Sequence, residues 1–492
     1  MRARRLRLGT AAVLGVLLGC AGEEPGLLLP GRESDTELPP GLTLVARIAH
    51  ISDTQIVDEE SPARFAGAQV ITRSAWRPYE SYSTQLFDGV LRSVNRVHAA
   101  GRPIDFLVFT GDACDNAQSN ELDWVLRVLD GDFVDPLTGP DDRDPAGRPD
   151  PLRDPHAGFR PQGLYRGGVH GELASIPWYI VYGNHDVYSI GVFPILRFPD
   201  GRELAPLPLE FRPGFVLPVR LDPLASFTHG RVTPGDPGPP EFLEVALPVV
   251  PNAERAFFDR REFVRALFDT TSGPPGHGFA DPETESSWYS VRPVEGLRLI
   301  GLDSTDRTVE FPGLFYSEGA VSRRQLAYLR DELEAALALG EIVIVLSHHP
   351  TTSLDRDGGG EVDGAELRAV LNEFPNVAAH LAGHTHRNRV TDRGGYLEIE
   401  TASTLDLPQE WRLLEIWRDA DGGVVIAYEV FSHLDETLPP LGDDPLRDLR
   451  ADARDLAAGD KTDATRRKRF DPSGADPYGR PADRRDVRFL PR

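Results

Sequence analysis

Two histidine pairs stand out in this chain, "LSHHP" at 346–350 and "LAGHTH" at 381–386. Three other short stretches carry groups of the same kind: "SDTQ" at 52–55, "GDACDN" at 111–116 and "GNHD" at 183–186. Imidazole, carboxylate and amide oxygen are side-chain groups that bind divalent cations. Together the stretches offer Asp53, Gln55, Asp112, Asp115, Asn184, His185, His348, His384 and His386. One such residue at a strand end is more often structural than functional. Five strand ends that all carry metal-capable groups are much harder to obtain by chance.

The surrounding sequence says how these residues would be positioned. Each stretch closes a short apolar run, as in "LVARIAHISDTQ", "IDFLVFTGDACDN", "IPWYIVYGNHD", "EIVIVLSHHP" and "VAAHLAGHTH"; "LRLIGLDST" is a further run of the same type. Such runs read as buried strands. Amphipathic helices are expected between them. "TQLFDGVLRSVNRVHAAG" sets Leu86, Val90, Leu91, Val94 and Val97 on one face and stops at glycine. "SRRQLAYLRDELEAALALG" opens with Ser322 and Gln325 at capping-box spacing, and "GAELRAVLNEF" is a third helix. Alternating strands and helices imply an α/β sheet, whose sites form beyond the carboxyl ends of its strands. After residue 394 the pattern is strand-only, which predicts an antiparallel end to the fold with "DADGG" as a turn.

The N-terminus predicts export. "MRARRLRLG" is basic, "TAAVLGVLLG" is apolar but too short to span a bilayer, and Cys20 follows. "LLGC" at 17–20 resembles a bacterial lipobox, which implies cleavage, lipid on Cys20 and a protein held on the cell envelope, facing periplasm or exterior. Residues 1–20 are thus read as a leader and 21–42, rich in Pro, Gly and acid, as a tether. The domain proper is expected over 43–432, with surface insertions at 131–172 and 188–285, the latter a candidate cap over the site, and a charged extension over 433–492 whose "DVRFLP" could dock as a strand. The formal net charge is −24, from 53 Lys and Arg against 77 Asp and Glu, so nonspecific nucleic-acid binding is not expected. An acidic protein that handles anions needs a local positive source such as a metal ion.

The ordered series D-x-Q, "GDACDN", "GNHD", "SHHP" and "GHTH" resembles the calcineurin-like metallophosphoesterases, and the D-x-Q form resembles a secreted bacterial subfamily. The resemblance implies a four-layer α/β/β/α sandwich with long insertions. It also implies two divalent cations, Mn, Fe or Zn, that clamp a phosphoryl group and activate water toward a phosphate ester or pyrophosphate. By the same resemblance Asp112 bridges both metals. Asp53, Gln55 and His386 complete the first site; Asn184, His348 and His384 complete the second. His185 would contact phosphate beside Asn184 and protonate the leaving oxygen, and Asp115 would hold the His185 ring. Gly383 would allow close backbone approach. His349 is expected behind the ligands, and Asp186 is expected to close its motif.

Gln55 departs from the family, which usually has histidine there. An amide oxygen is a harder, weaker ligand than imidazole and favours Mn at that site. Arg77 in "AWRPYE" is either a substrate-phosphate contact or a surface arginine. Cys114 reads as a small buried hydrophobe, Asp303 as a strand-end residue and "DRDGGGEVD" at 355–363 as a loop. The reading from another class is a surface lipoprotein that keeps the fold as a binding module without catalysis. The substrate class stays open among monoesters, diesters and pyrophosphates of small molecules.

Overall fold

The computed structural model describes residues 38–59, 61, 77–138, 154–164, 175–197, 252–284, 286–307, 317–356, 360–459 and 478–490, and the backbone of 203–204, 210–211 and 215–216. The leader and most of the tether lie outside these residues. Among the described residues no helix is long and apolar enough to cross a membrane.

Two six-stranded sheets form the body of the protein. The first contains β1 (Thr43–Ile51), β2 (Phe106–Phe109) and β3 (Trp178–Ile180), all parallel. On the other side of β1 run β16 (Glu410–Arg418), β17 (Val424–Ser432) and β18 (Arg485–Phe489), each antiparallel to its neighbour. Between β3 and the second sheet lie three two-residue hairpins: β4 (Tyr188–Ser189) with β5 (Phe193–Pro194), β6 (Leu196–Arg197) with β7 (Glu203–Leu204), and β8 (Glu210–Phe211) with β9 (Phe215–Val216). The second sheet has β11 (Leu297–Gly301), β12 (Ile342–Leu346), β13 (Val377–Ala382) and β15 (Leu397–Glu400) in parallel, flanked by antiparallel β10 (Tyr289–Val294) and β14 (Arg389–Asp392).

Side-chain alternation along β12 explains the layering. Ile342, Ile344 and Leu346 enter a core shared with the first sheet, which also holds Ile48, Leu107 and Ile416. Val343 and Val345 face the other way. They join Leu326, Leu329 and Leu333 of α4 (Arg323–Leu339) and Leu367, Val370 and Leu371 of α5 (Gly364–Glu373) in a second cluster. Burying each such aliphatic side chain is worth roughly 1.5–3 kcal/mol. On the first sheet α1 (Ser83–Ala99) supplies Phe87, Val90, Leu91, Val94 and Val97 to the core, and Ser93 Oγ accepts from Trp411 Nε1 of β16 at 2.9 Å. Helices on sheet, sheet on sheet, and sheet on helices is the α/β/β/α order that the resemblance implied.

The helix boundaries follow their caps. Ser322 Oγ accepts from the Gln325 N–H at 3.2 Å, and α4 ends at Gly340, whose φ of 68° suits glycine. Asp363, inside the glycine-rich 355–363 stretch, caps α5 by accepting from Glu366 N at 2.9 Å, so this acid serves a helix end. Residues 357–359 of that stretch lie outside the described residues.

Two points differ from expectation. The strand-only tail is not wholly antiparallel, because β15 pairs in parallel with β13 before the chain crosses to the first sheet. Two helices carry no prediction of their own: α2 (Ser119–Asp130) follows "GDACDN" directly, and α3 (Arg260–Ala266) closes the long insertion with a capping box of Asp259 and Glu262. The charged extension forms α6 (Arg447–Gly459), and its last apolar piece does pair, as β18.

Candidate metal centre

All the parallel strands of a sheet deliver their carboxyl ends to one edge. Asp53 and Gln55 follow β1, Asp112 follows β2, Asn184 and His185 follow β3, His348 follows β12, and His384 and His386 follow β13. The first two loops are held together by backbone bonds: Asp53 N to Gly111 O at 3.0 Å, Gln55 N to Asp112 O at 2.9 Å and Ile56 N to Ala113 O at 2.9 Å. Among the described residues nine non-glycine positions have positive φ, and five of them are Asp53, Gln55, Asp112, His384 and His386. Left-handed backbone is costly for such residues, and it concentrates where a site demands a particular side-chain direction. Close approach is built in as well. A Cβ on Gly383 would lie 2.4 Å from Asp53 Oδ2, and one on Gly183 would lie 2.0 Å from Asp112 Oδ1.

The nine motif residues therefore gather at one place. Ligand-type atoms of Asp53, Asp112 and His386 lie within 4.8 Å of one another, and so do those of His348, His349 and His384. His348 Nε2 is 3.2 Å from Asp112 Oδ2 and 3.9 Å from Asp53 Oδ1, which joins the two groups; His386 Nε2 is 3.1 Å from Asp53 Oδ1. Despite this proximity, Asp53 Oδ1, His348 Nε2 and Asn184 Oδ1 are buried without a hydrogen-bond partner. Such orphaned atoms are costly unless something else binds them. They are lone pairs of the type that divalent cations take, set around the Asp112 carboxylate, so the donor set fits divalent metal.

Hydrogen bonds behind the ligands aim those lone pairs. Asn184 Nδ2 donates to Gly191 O at 2.9 Å, which leaves Oδ1 facing inward. His348 Nδ1 donates to Thr110 O at 2.7 Å, and His386 Nδ1 donates to Asp406 Oδ2 at 2.6 Å, which frees Nε2 on both rings. Asp112 Oδ1 accepts from His185 N at 2.8 Å, and the Asp53 carboxylate accepts from His384 N at 3.1 Å. Burial would lower the imidazoles, but the facing carboxylates outweigh it at His348 and His386 and push both up to about 9. His384, buried beside His348, falls to about 3. Burial would raise Asp112, and His348 with His185 instead hold it well below the ordinary carboxylate range. The pocket favours positive charge.

His185 sits apart from this ligand set. Its Nδ1 donates to Asp115 O at 2.9 Å and lies 3.1 Å from Asp115 Oδ1, while Nε2 stands 4.0 Å from Asp112 Oδ2. Burial opposes charge on this ring, yet Asp112 and Asp115 raise its pKa. The start of the long insertion lies directly on it: a Cβ at Gly191 would meet His185 Cδ2 at 2.2 Å.

Arg77 is neither a surface arginine nor an arm toward substrate. It is 1% exposed and lies behind the ligands. Its Nε donates to Asp406 Oδ1 at 2.7 Å, its Nη1 to Asp115 Oδ1 at 3.2 Å and its Nη2 to Gln55 Oε1. Gln55 thus turns its carbonyl to Arg77. Its amide nitrogen faces Asp112 Oδ2 at 3.3 Å and His386 Nε2 at 3.4 Å, the reverse of what ligation requires. Asp406 was not legible in sequence: it accepts from Arg77, His386 and Tyr79, yet "STLDLPQ" has no metal-ligand spacing.

The remaining residues fall into supporting places. His349 uses both nitrogens, Nδ1 with Ser304 Oγ at 2.8 Å and Nε2 with Ser317 O at 2.9 Å, and packs against His384. Asp186 accepts from Cys114 N at 3.0 Å and Gly183 N at 2.9 Å, closing its motif. Cys114 is buried and free, and burial pushes its thiol up. Asp303 accepts from Thr305 N at 2.8 Å and pairs with Arg260 of α3 at 3.1 Å, a strand-end role.

Residues 46–238 match the sequence model of the calcineurin-like phosphoesterases. A protein of Synechococcus sp. (strain WH7803) described as a probable cyclic nucleotide phosphodiesterase is 34% identical over 73 residues, which cover 14% of this chain and 28% of that protein. Among solved structures, a dimetal phosphatase from Danio rerio is similar with a TM-score of 0.40 and 15% identity, over 80% of this chain and 97% of that one. A putative 5'-nucleotidase from Staphylococcus aureus is similar with a TM-score of 0.34 and 12% identity, over 84% of this chain and 58% of that one. Over residues 46–238, which include Asp53, Asp112, Asn184 and His185, the chain is similar to the calcineurin-like phosphoesterases.

Proposed function

We propose that this protein is a dinuclear metal-dependent phosphoesterase. The observation that carries the reading is the ring of orphaned lone pairs, Asp53 Oδ1, Asn184 Oδ1 and His348 Nε2, around the shared carboxylate of Asp112. Asp53, Asp112 and His386 would hold one cation; Asp112, Asn184, His348 and His384 would hold the other. When bound, such a pair polarises the phosphoryl oxygens and lowers the pKa of water. Asn184 Nδ2 is committed to Gly191 O, so Asn184 turns only its oxygen inward. His185 stands beside Asp112 with its Nε2 4.0 Å from Asp112 Oδ2, and this ring would give a proton to the leaving oxygen. Asp115 keeps Nδ1 occupied, which fixes the ring and leaves Nε2 as the proton-transferring atom.

The first site is richer in carboxylate oxygen than the second, which supports Mn or Fe there over Zn. A small phosphorylated molecule is the fitting substrate, since the net charge of −24 opposes a polyanionic partner. Gly191, near the start of the insertion, lies against His185, which supports a role for the insertion in choosing the leaving group. The test is metal analysis of the purified chain, then assay with phosphomonoesters, linear and cyclic phosphodiesters and nucleoside diphosphate esters. Turnover that disappears on chelation and returns with Mn supports the reading. Two bound ions with no turnover on any class would leave a binding module.

The basic, apolar and "LLGC" sequence of the leader supports an exported lipoprotein anchored through Cys20. Cys20→Ala should then move the protein from the membrane to the soluble fraction. An unchanged distribution would sink the anchor.

A further inference from the structure

The side chain of Gln55 occupies the place where this family usually offers a histidine ligand, but it offers the wrong atom. An amide has one acceptor and one donor end, and its neighbours decide which way it turns. Here one neighbour is decisive. Arg77 is a buried guanidinium, donor-only and permanently charged. Its Nη2 donates to Gln55 Oε1. Turning the amide over would set NH2 against NH2 in a buried position and leave that donor facing another donor. The opposite end faces a carboxylate oxygen, Asp112 Oδ2 at 3.3 Å, which accepts N–H, with His386 Nε2 beside it at 3.4 Å. Arg77 cannot easily let go, because Asp406 and Asp115 fix the other arms of the same planar fork at 2.7 and 3.2 Å.

We propose that Arg77 claims the Gln55 carbonyl, so that Gln55 supplies no ligand atom to the first metal and acts instead as a hydrogen-bond donor to the bridging Asp112. Arg77 is then a positioning residue with three effects. It orients Gln55, braces Asp406 behind His386 and braces Asp115 behind His185. The residue that replaces the family's histidine has changed its job, from holding a cation to holding the carboxylate that both cations share. This inference rests on the dinuclear reading above.

The test is metal binding by the full-length chain, read without turnover. Mn2+ titration calorimetry and the absorption spectrum of Co2+-loaded protein are compared for the parent, Gln55→Leu, Gln55→Met and, as a control, His386→Ala. Asp112 keeps its 2.8 Å bond from His185 N in the Gln55 variants, so the carboxylate stays placed. Mn2+ affinity should therefore stay within about threefold of the parent and the Co2+ spectrum should keep its bands, because no ligand is lost. His386→Ala should lose one of the ions. A Gln55 variant that folds, by circular dichroism, but loses one ion or weakens it about tenfold or more, with altered Co2+ bands, overturns the proposal. Two variants of different shape are used so that poor folding of one leaves the other to decide. A parent that takes up fewer than two ions per chain sinks the dinuclear reading itself, and this inference with it.

Discussion

His185 and Asp406 carry opposite predictions, because one is placed to act on substrate and the other on a ligand. His185→Ala should reduce turnover by roughly 10²- to 10⁴-fold, the usual contribution of a general acid, with metal content unchanged. Loss of metal from that variant would show His185 to be a ligand. Asp406→Asn replaces the acceptor of the His386 Nδ1 bond and two further donors, from Arg77 and Tyr79. Mn2+ affinity at one site should fall about 10- to 100-fold while the other holds; equal affinity at both would remove Asp406 from the metal's support. The residue scale is also where sequence reading reached its limit. Asp53, Asp112, Asn184, His348, His384 and His386 were legible because type, spacing and strand context coincide. Arg77 and Asp406 were not, because they meet across 329 positions and neither sits in a stretch with ligand spacing. The direction of the Gln55 amide depends on that meeting, so no local pattern could reveal it.

At the scale of elements, strands and helices with strong periodicity were readable, and their partners less so. Ser322 and Gly340 mark the two ends of α4, but the Gln325 side chain turns to the backbone of Asp303 and does not complete the capping box that its spacing suggested. By contrast β15 looked like the start of an antiparallel tail, but it pairs in parallel with β13, a choice made by the crossover and not by the strand's own residues. Loop anchoring supplies a pH-dependent prediction. Burial would lower His156, but contact with Glu59 and Asp154 outweighs it and pushes the ring up to about 10, which ties the 154–164 segment to the loop after β1. A pKa raised above the unfolded value near 6.5 stabilises the fold fully below that value, and the contribution fades as pH rises through about 10. His156→Leu should thus cost about 3 kcal/mol near pH 6 and much less near pH 11, read from urea midpoints of variant and parent. An equal difference at both pH values would mean that the loss is packing alone.

For the molecule as a whole, the last residues finish what the first strand begins. β18 covers the outer side of β17 through register pairs from Val425↔Phe489 to Glu429↔Arg485. Removing residues 485–492 would open the edge of β17 along 425–429, where Val425 and Ile426 are now buried. The truncated chain should self-associate by light scattering, and its melting midpoint should fall by roughly 2–4 °C for each kcal/mol lost. A truncated chain that stays monomeric with the parent's midpoint would make β18 ornamental.

The left-handed backbone at Asp53, Gln55, Asp112, His384 and His386 has a consequence for anyone who tries to improve this protein. Glycine would relax each of those positions by about 1 kcal/mol or more. A selection for thermal tolerance alone, run on chelated protein, would be drawn to them first. The winners would melt later and bind metal worse, since the relaxed positions include proposed ligands. Selection in excess Mn2+ should spare the same codons, because there the bound ions themselves reward the strained backbone.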